Sequence, residues 1–490
     1  MIFGKLSSRR AKGAVGRSAP LIEALDSRML LSATYYVSTK GNDANAGTTP
    51  ATAWRHIQQA CNTATPGSTV DVMPGRYNEK VTVNVSGDAV DGFTTFQAVG
   101  RVTVDGKGVA GSNIIFINNQ NYIRIVGFNL CNDLRVNNGS GIRLTSADDH
   151  IELDNNRIFN ITGLSAMGIT AYGTDPDEGI SNLVINGNEV FNCQPTPSEA
   201  ISLNGNVHDF SVTNNYVHNV NGIGIDFLGG AMFSSNPATD YARNGQVSGN
   251  RVTLAKSTDP ILHAAPQAAG IVVDGAQNII VYQNTCWRNM VGIYVACVSP
   301  SVTALNDVVR DNIIYDNAQA GISLGASDES QGRVVDCLVS NNTLYHNSVH
   351  RKGVGEIRIQ SASTCTIENN ILDGTRGETL IDSEAGAVDV TSDYNLLYSP
   401  DGRAGARFML AGHALIGFNA WLSGSGSDAN SPFAAPIFLH GAGYLFRTSV
   451  RWPGLDLGNP AFIPGSGETD FLGNQRVQGS RVDIGAYEVG

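Results

Sequence analysis

The sequence predicts an all-β chain wound as a parallel β-helix, and three observations predict it. The 490 residues are 42% hydrophobic, with 55 glycines and only 16% charged side chains, which disfavours long helices and suits short strands joined by tight turns. A pattern of an apolar residue, two small or polar residues, Asn, any residue and another apolar one recurs as LDNNRI, INGNEV, VTNNYV, VSGNRV, VYQNTC, VRDNII, VSNNTL and IENNIL. Its asparagines, Asn156, Asn188, Asn215, Asn250, Asn284, Asn312, Asn342 and Asn370, lie 27 to 35 residues apart. A second strand runs in phase with this one, as GIRLT, GITAY, AISLN, GIDFL, GIVVD, GIYVA and GISLG. Alternation by two is the strand period, not the helical one. A unit this short cannot close its own core, but stacked units can, each strand pairing with its equivalent one turn on. Asn and Gly tolerate the left-handed backbone of sharp corners, and Asn at one corner of every turn would let the amides form a ladder.

The elements follow in chain order. Residues 1–33 are basic and rich in small residues, then LIEALDSRMLLSA, which resembles the LEPR-XLL type of N-terminal segment on exported bacterial proteins. That resemblance implies export, to the medium or the cell surface. The stretch from Thr34 to Val83, with a short helix expected near AWRHIQQACNTA as a cap, resembles the opening of bacterial right-handed parallel β-helix proteins related to pectate lyases. SEAISLNGN, GIGIDFLGG, YARNGQVSGN and GIVVDGAQN resemble the same group, as does the closing DIGAYE. The resemblance implies a right-handed helix over residues 34–395, with 396–490 packed irregularly on its last turns, and a carbohydrate-active protein.

Several classes are disfavoured. No run of 18 apolar residues exists, so no membrane-spanning helix is expected. A net charge of −12 disfavours nucleic acid and anionic membranes as partners. Seven cysteines without a CxxC pair argue against zinc and redox chemistry. Cys337 and Cys365 each fall five residues before a ladder asparagine and should stack inside as core thiols. A monomer is expected.

Candidate site residues come from the alternation. With Ile201, Ile225, Ile271 and Ile293 inward, and Leu203, Phe227, Val273 and Val295 after them, two outward columns follow. One runs Arg143, Thr170, Ser202, Asp226, Val272, Tyr294, Ser323; the other runs Thr145, Tyr172, Asn204, Leu228, Asp274, Ala296. Asn204, Asp226 and Asp274 should therefore face solvent on neighbouring turns, with Glu199 at the corner of the first. Such oxygens suit Ca2+, so Glu199, Asp226 and Asp274 are the expected metal ligands. From Ile225 to Ile271 the chain takes 46 residues, more than one turn, and the extra loops carry Arg243, Lys256 and His263. Asp226 with one of these three is the expected catalytic set, and Asn204, Asn244, Tyr294 and Arg143 are expected to contact substrate.

The expected chemistry is Ca2+-assisted β-elimination on a uronic-acid polysaccharide, in which a cation neutralises the carboxylate and a base takes the adjacent proton. Family 9 pectate lyases use a lysine base on an outward strand position. Here Lys256 alone lies between Lys107 and Lys352, in an inserted loop. Paired carboxylates acting in glycoside hydrolysis, and glycan binding without cleavage, are the alternatives. GTDPDEG, with Asp175, Asp177 and Glu178, is a weaker calcium candidate. SADDHIE has the paired aspartates of polygalacturonases but lacks their GHG and RIK elements. His208 and His218 read as ordinary turn residues.

Overall fold

The computed structural model describes residues 33–255, 268–326, 328, 330–348, 354–439 and 446–490. Its strands form three sheets of 17, 13 and 12 strands, and the last contributes one strand per coil, so twelve coils stack. The strand pairings are parallel except where Arg407–Leu410 meets His413–Ile416 and turns the 13-stranded sheet back on itself. The coils continue through Leu396–Tyr398 and Arg407–Leu410, past residue 395.

Alternation fixes which side chains meet. Ile169, Ile201, Ile225, Ile271, Ile293 and Ile322 are register partners on successive coils, and all are fully buried. Phe227 stacks on Phe210 inside, with centroids 5.2 Å apart. All seven cysteines are free and buried, Cys337 and Cys365 among them.

The corner asparagines form the ladder. Each rung repeats one pattern: Asn250 Oδ1 accepts from the backbone N–H and the amide of Asn215 (2.9 and 3.0 Å), while its own amide donates to Val212 O and Asn284 Oδ1 (2.8 and 3.0 Å). The ladder extends one coil beyond the periodic motif, to Asn395. A second ladder, Asn289, Asn317 and Asn347, ends on the buried carboxyl of Glu356. Its members lie five residues after Asn284, Asn312 and Asn342, a regularity that the search for one motif passed over.

The cap near the start is helix α1 (Ile57–Thr63), which buries Ile57, Ala60 and Cys61. Its His56 N-cap makes no side-chain capping bond; the Glu79 carboxylate instead accepts from Ile57 N and Gln58 N at 3.0 and 3.2 Å. This serves two orphan donors at the positive end of the helix. A second helix, α2 (Phe418–Ser425), follows the last coil. The closing DIGAYE stretch then docks on earlier coils: Gly485 N donates to Asn369 O (2.6 Å) and Ala486 N to Thr343 Oγ1 (3.1 Å). Arg476, fully buried, lies 3.3 Å from Asp311 and 3.6 Å from Glu488.

Candidate active site

The site lies on the outer face of the 13-stranded sheet, on four neighbouring strands: β1 (Glu199–Gly205), β2 (Ile223–Leu228), β3 (Ala269–Asp274) and β4 (Val291–Ala296). Ser202, Asp226, Val272 and Tyr294 are register partners across them, as are Asn204, Leu228, Asp274 and Ala296. The outward columns read from alternation are therefore the observed ones. Their surroundings differ from expectation. Asp226 and Asn204 do not face open solvent: each is only 2–3% exposed.

The covering is tertiary. After β2 the chain makes the loop 229–242, held by Asp240, whose carboxylate accepts from Met232 N and Ser234 N (2.7 and 2.8 Å). Ser299, after β4, donates to Gly230 O at 3.0 Å and ties the loop to the next coils. Phe233 from the same loop packs on Tyr172. These segments close a cavity of about 340 Å³ whose wall includes Glu199, Asp226, Asp274 and Tyr294, with Ile223, Leu228 and Val272 as apolar surface. A short second wall carries Pro197, beside β1.

Three carboxyls share this cavity, and burial dominates their titration. Glu199 is pushed up to about 7, chiefly by burial; the Ser202 hydroxyl opposes this and the Asp274 charge adds to it. Asp226 lies well above the usual carboxylate range because it is buried and because Glu199 and Asp274 repel its charge. Its Oδ1 has no hydrogen-bond partner among the described residues. Asp274 rises to about 6 through burial, tempered by the Val298 N–H at 2.7 Å. Between Asp226 and Asp274 lies one coil and two residues along the strand, so their backbones are about 8 Å apart.

The expected calcium ligands do not fit the ion. Among the described residues no three acidic, histidine or cysteine side chains come close enough to share a metal. Glu199, Asp226 and Asp274 step diagonally across three strands in register. The GTDPDEG turn does not gather ligands either: Asp175 is used locally, accepting from Asp177 N and Glu178 N.

Other expected site residues lie elsewhere. Arg243 opens the strand Arg243–Ser248 of the 17-stranded sheet, because the chain turns the corner at Ala242. Its guanidinium donates to Tyr241 O (3.3 Å) and lies over the Tyr241 ring, so it does not hang over the carboxyls. Asn244, next to it, is exposed and bonds Asp209 at 3.2 Å on the preceding coil. Arg143 shares the column of Asp226 but three coils away, where it covers Tyr172 and donates to Thr170 and Asn138. Asn204 reaches the cavity only through Ser202. His208 and His218 sit in strands, not turns, His218 stacked between Phe191 and Tyr216. Lys256 and His263 lie outside the described residues. Sequence reasoning missed Ser202 as a site residue, although it stands in the column of Asp226, and missed the Pro197 and Ser299 walls, which alternation cannot see.

Fold and site together define a right-handed β-helix protein with a buried acidic cavity on one sheet. A family model described as a right handed beta helix region matches residues 234–345, and one described as disaggregatase related matches 305–399. The chain is 30% identical over 434 residues to the uncharacterized protein YwoF of Bacillus subtilis (strain 168), spanning 85% of this chain and 91% of that one, and it belongs to the same family. Among solved structures it resembles the pectate lyase Pel9A (TM-score 0.52, 15% identity, 93% of this chain and 96% of that one). It also resembles XylC in complex with xylose (TM-score 0.55, 11% identity, 93% and 99%). A third likeness is to the GH136 lacto-N-biosidase from Eubacterium ramulus (TM-score 0.51, 15% identity, 83% and 67%). Identities this low establish the shared fold.

Proposed function

We propose that the chain is a carbohydrate-active β-helix enzyme that hydrolyses a glycosidic bond in a neutral saccharide, using the carboxyls of Asp226 and Asp274. One observation carries this reading: among the described residues, the cavity wall holds three carboxyls, a tyrosine, a serine and apolar surface, and no lysine, arginine or histidine. Against these described residues a uronate would meet carboxyls and no cation to neutralise it. A neutral sugar would bring hydroxyls to the carboxyls and C–H faces to Ile223, Val272 and Tyr294.

The roles follow from the environments. Asp226, held protonated by burial and by the nearby Glu199 and Asp274 charges, is the general acid that gives its proton to the leaving glycosidic oxygen. Asp274, with the Val298 N–H to stabilise its charge, is the base: it takes a proton from the water whose oxygen attacks the anomeric carbon as the old C–O bond breaks. Glu199 keeps Asp226 charged with its proton. Their backbones stand one coil and two residues apart, about 8 Å, and two carboxyls set on such a spacing can admit a water between them, as inverting enzymes require. The basic N-terminal stretch supports delivery outside the cell or to its surface.

The test is a screen of purified protein on neutral oligosaccharides and aryl glycosides, and on pectate and alginate with and without Ca2+. New reducing ends from a neutral substrate, lost in Asp226→Asn and Asp274→Asn, are expected. Unsaturated uronate product absorbing in the ultraviolet would establish elimination instead, and binding with no product would make the chain a glycan-binding protein.

A further inference from the structure

Around the corner from the acidic cavity lies a second groove of about 530 Å³, whose wall is built from amides: Asn160, Asn192, Gln194, Asn219 and Asn221, over Val220 and Leu254. We infer that this groove is a distal subsite for the same neutral saccharide, so that the protein takes a chain of several sugars and not a disaccharide. The inference rests on the reading of the acidic cavity as a neutral-saccharide site.

Its ground is the segment shared by the two. Cys193 and Gln194 line the amide groove, and Pro197 and Glu199, a few residues on, line the acidic cavity. The connecting residues are fixed to three neighbouring coils. Gln194 N donates to Ile161 O (3.0 Å), Ala166 N to Gln194 O (3.0 Å), and Thr196 N to Asn221 Oδ1 (3.2 Å). A ligand crossing this ridge would touch both sites without the ridge having to move.

The wall chemistry selects the ligand class. Asn160, Asn192 and Asn219 are neighbours on successive coils, because Phe159, Phe191 and His218 are register partners one residue earlier. All three have left-handed backbone, φ 57°, 52° and 54°, so the same corner presents an amide about every 4.8 Å. The Asn192 and Asn219 amides have no hydrogen-bond partner among the described residues. An amide both donates and accepts, as a sugar hydroxyl does, and the apolar floor suits the C–H face of a sugar. Among the described residues no ionisable acid or base stands in the wall apart from the buried Cys193 thiol, so nothing among them selects an anion.

The test is calorimetric titration of Asp226→Asn, which holds substrate without turnover, with neutral oligosaccharides of two and of five units from xylan, cellulose, mannan and chitin. Pentagalacturonate is the charged control. Asn192→Ala with Asn219→Ala is then added; both side chains are exposed, and an unchanged melting temperature would show that the coil is intact. The expected result is a neutral pentamer that binds wild type and Asp226→Asn more tightly than its dimer. The double substitution should weaken the pentamer about tenfold and leave the dimer unchanged. The inference is overturned if the pentamer is indifferent to the double substitution, if dimer and pentamer weaken together, if pentagalacturonate alone gains from the groove, or if no neutral oligomer binds. Tight pentamer binding by wild type without cleavage would sink the hydrolytic reading and leave the subsite standing.

Discussion

Asp226 is the register partner of Ser202 on the preceding coil, and the Ser202 hydroxyl lies 2.8 Å from Glu199 Oε2 and 3.1 Å from Asn204 Oδ1. One hydroxyl thus lies between the Glu199 carboxyl and the Asn204 amide, on the coil next to Asp226. The Ser202 hydroxyl holds the Glu199 carboxyl down against burial, which pushes it up. Ser202→Ala should raise the Glu199 titration further above about 7, read by carbon NMR of the labelled carboxyl. An unchanged or lowered midpoint would mean that Ser202 does not donate to it.

Asp226→Asn and Asp274→Asn should each reduce turnover of the substrate found by screening by about 100-fold or more, the usual scale for losing a positioned acid or base. Full activity in Asp226→Asn would return Asp226 to the status of a buried strand residue with no catalytic part.

The pH dependence of stability has a definite sign. Glu199, Asp226 and Asp274 all have raised pKa values in the folded chain, so folding binds protons more tightly there than the unfolded chain does. That contribution is fully present below about pH 4, the unfolded range. It is lost as pH rises through about 6 and 7, where Asp274 and Glu199 titrate. Thermal melting should therefore favour Asp226→Asn over wild type more at pH 8 than at pH 4.5. An equal difference at both would show that Asp226 is not under this strain.

Calcium should leave the melting temperature of the wild type unchanged relative to chelator, since the three carboxyls do not converge on one point. A binder of the folded state would raise it in proportion to the logarithm of its concentration, and such a rise would restore the metal reading.

Two asparagines six residues apart should behave differently. Asn250 is fully buried and serves four ladder bonds, so Asn250→Ala should cost at least about 3 kcal/mol by orphaning its partners. Asn244, exposed on the outer surface, should cost under about 0.5 kcal/mol when changed to Ala. Phe227→Ala, in the closed interior, should cost about 3–5 kcal/mol. Denaturant unfolding measures all three.

Much of this was legible from local chemistry. The strand period fixed which face each residue takes, so Ile225, Phe227 and Ile271 were assigned inside and Asp226 and Asp274 outside from the sequence alone. The corner asparagines gave the coil length because only a residue tolerant of left-handed backbone, with an amide to share, can repeat there. The helix cap near Trp54 was read from its opening motif. What sequence could not decide was how far an outward residue is from water. Asp226 points away from the core in either case. Its burial depends on the loop 229–242 and the Val298–Ser299 corner folding over it from other coils, and those are contacts between residues up to 69 apart in the chain. The same holds for Arg243, whose place depends on where the chain turns a corner. Alternation sets a direction for each side chain, while the neighbours across that direction, and hence the charge and dielectric that set its chemistry, come only from the packing of separate coils.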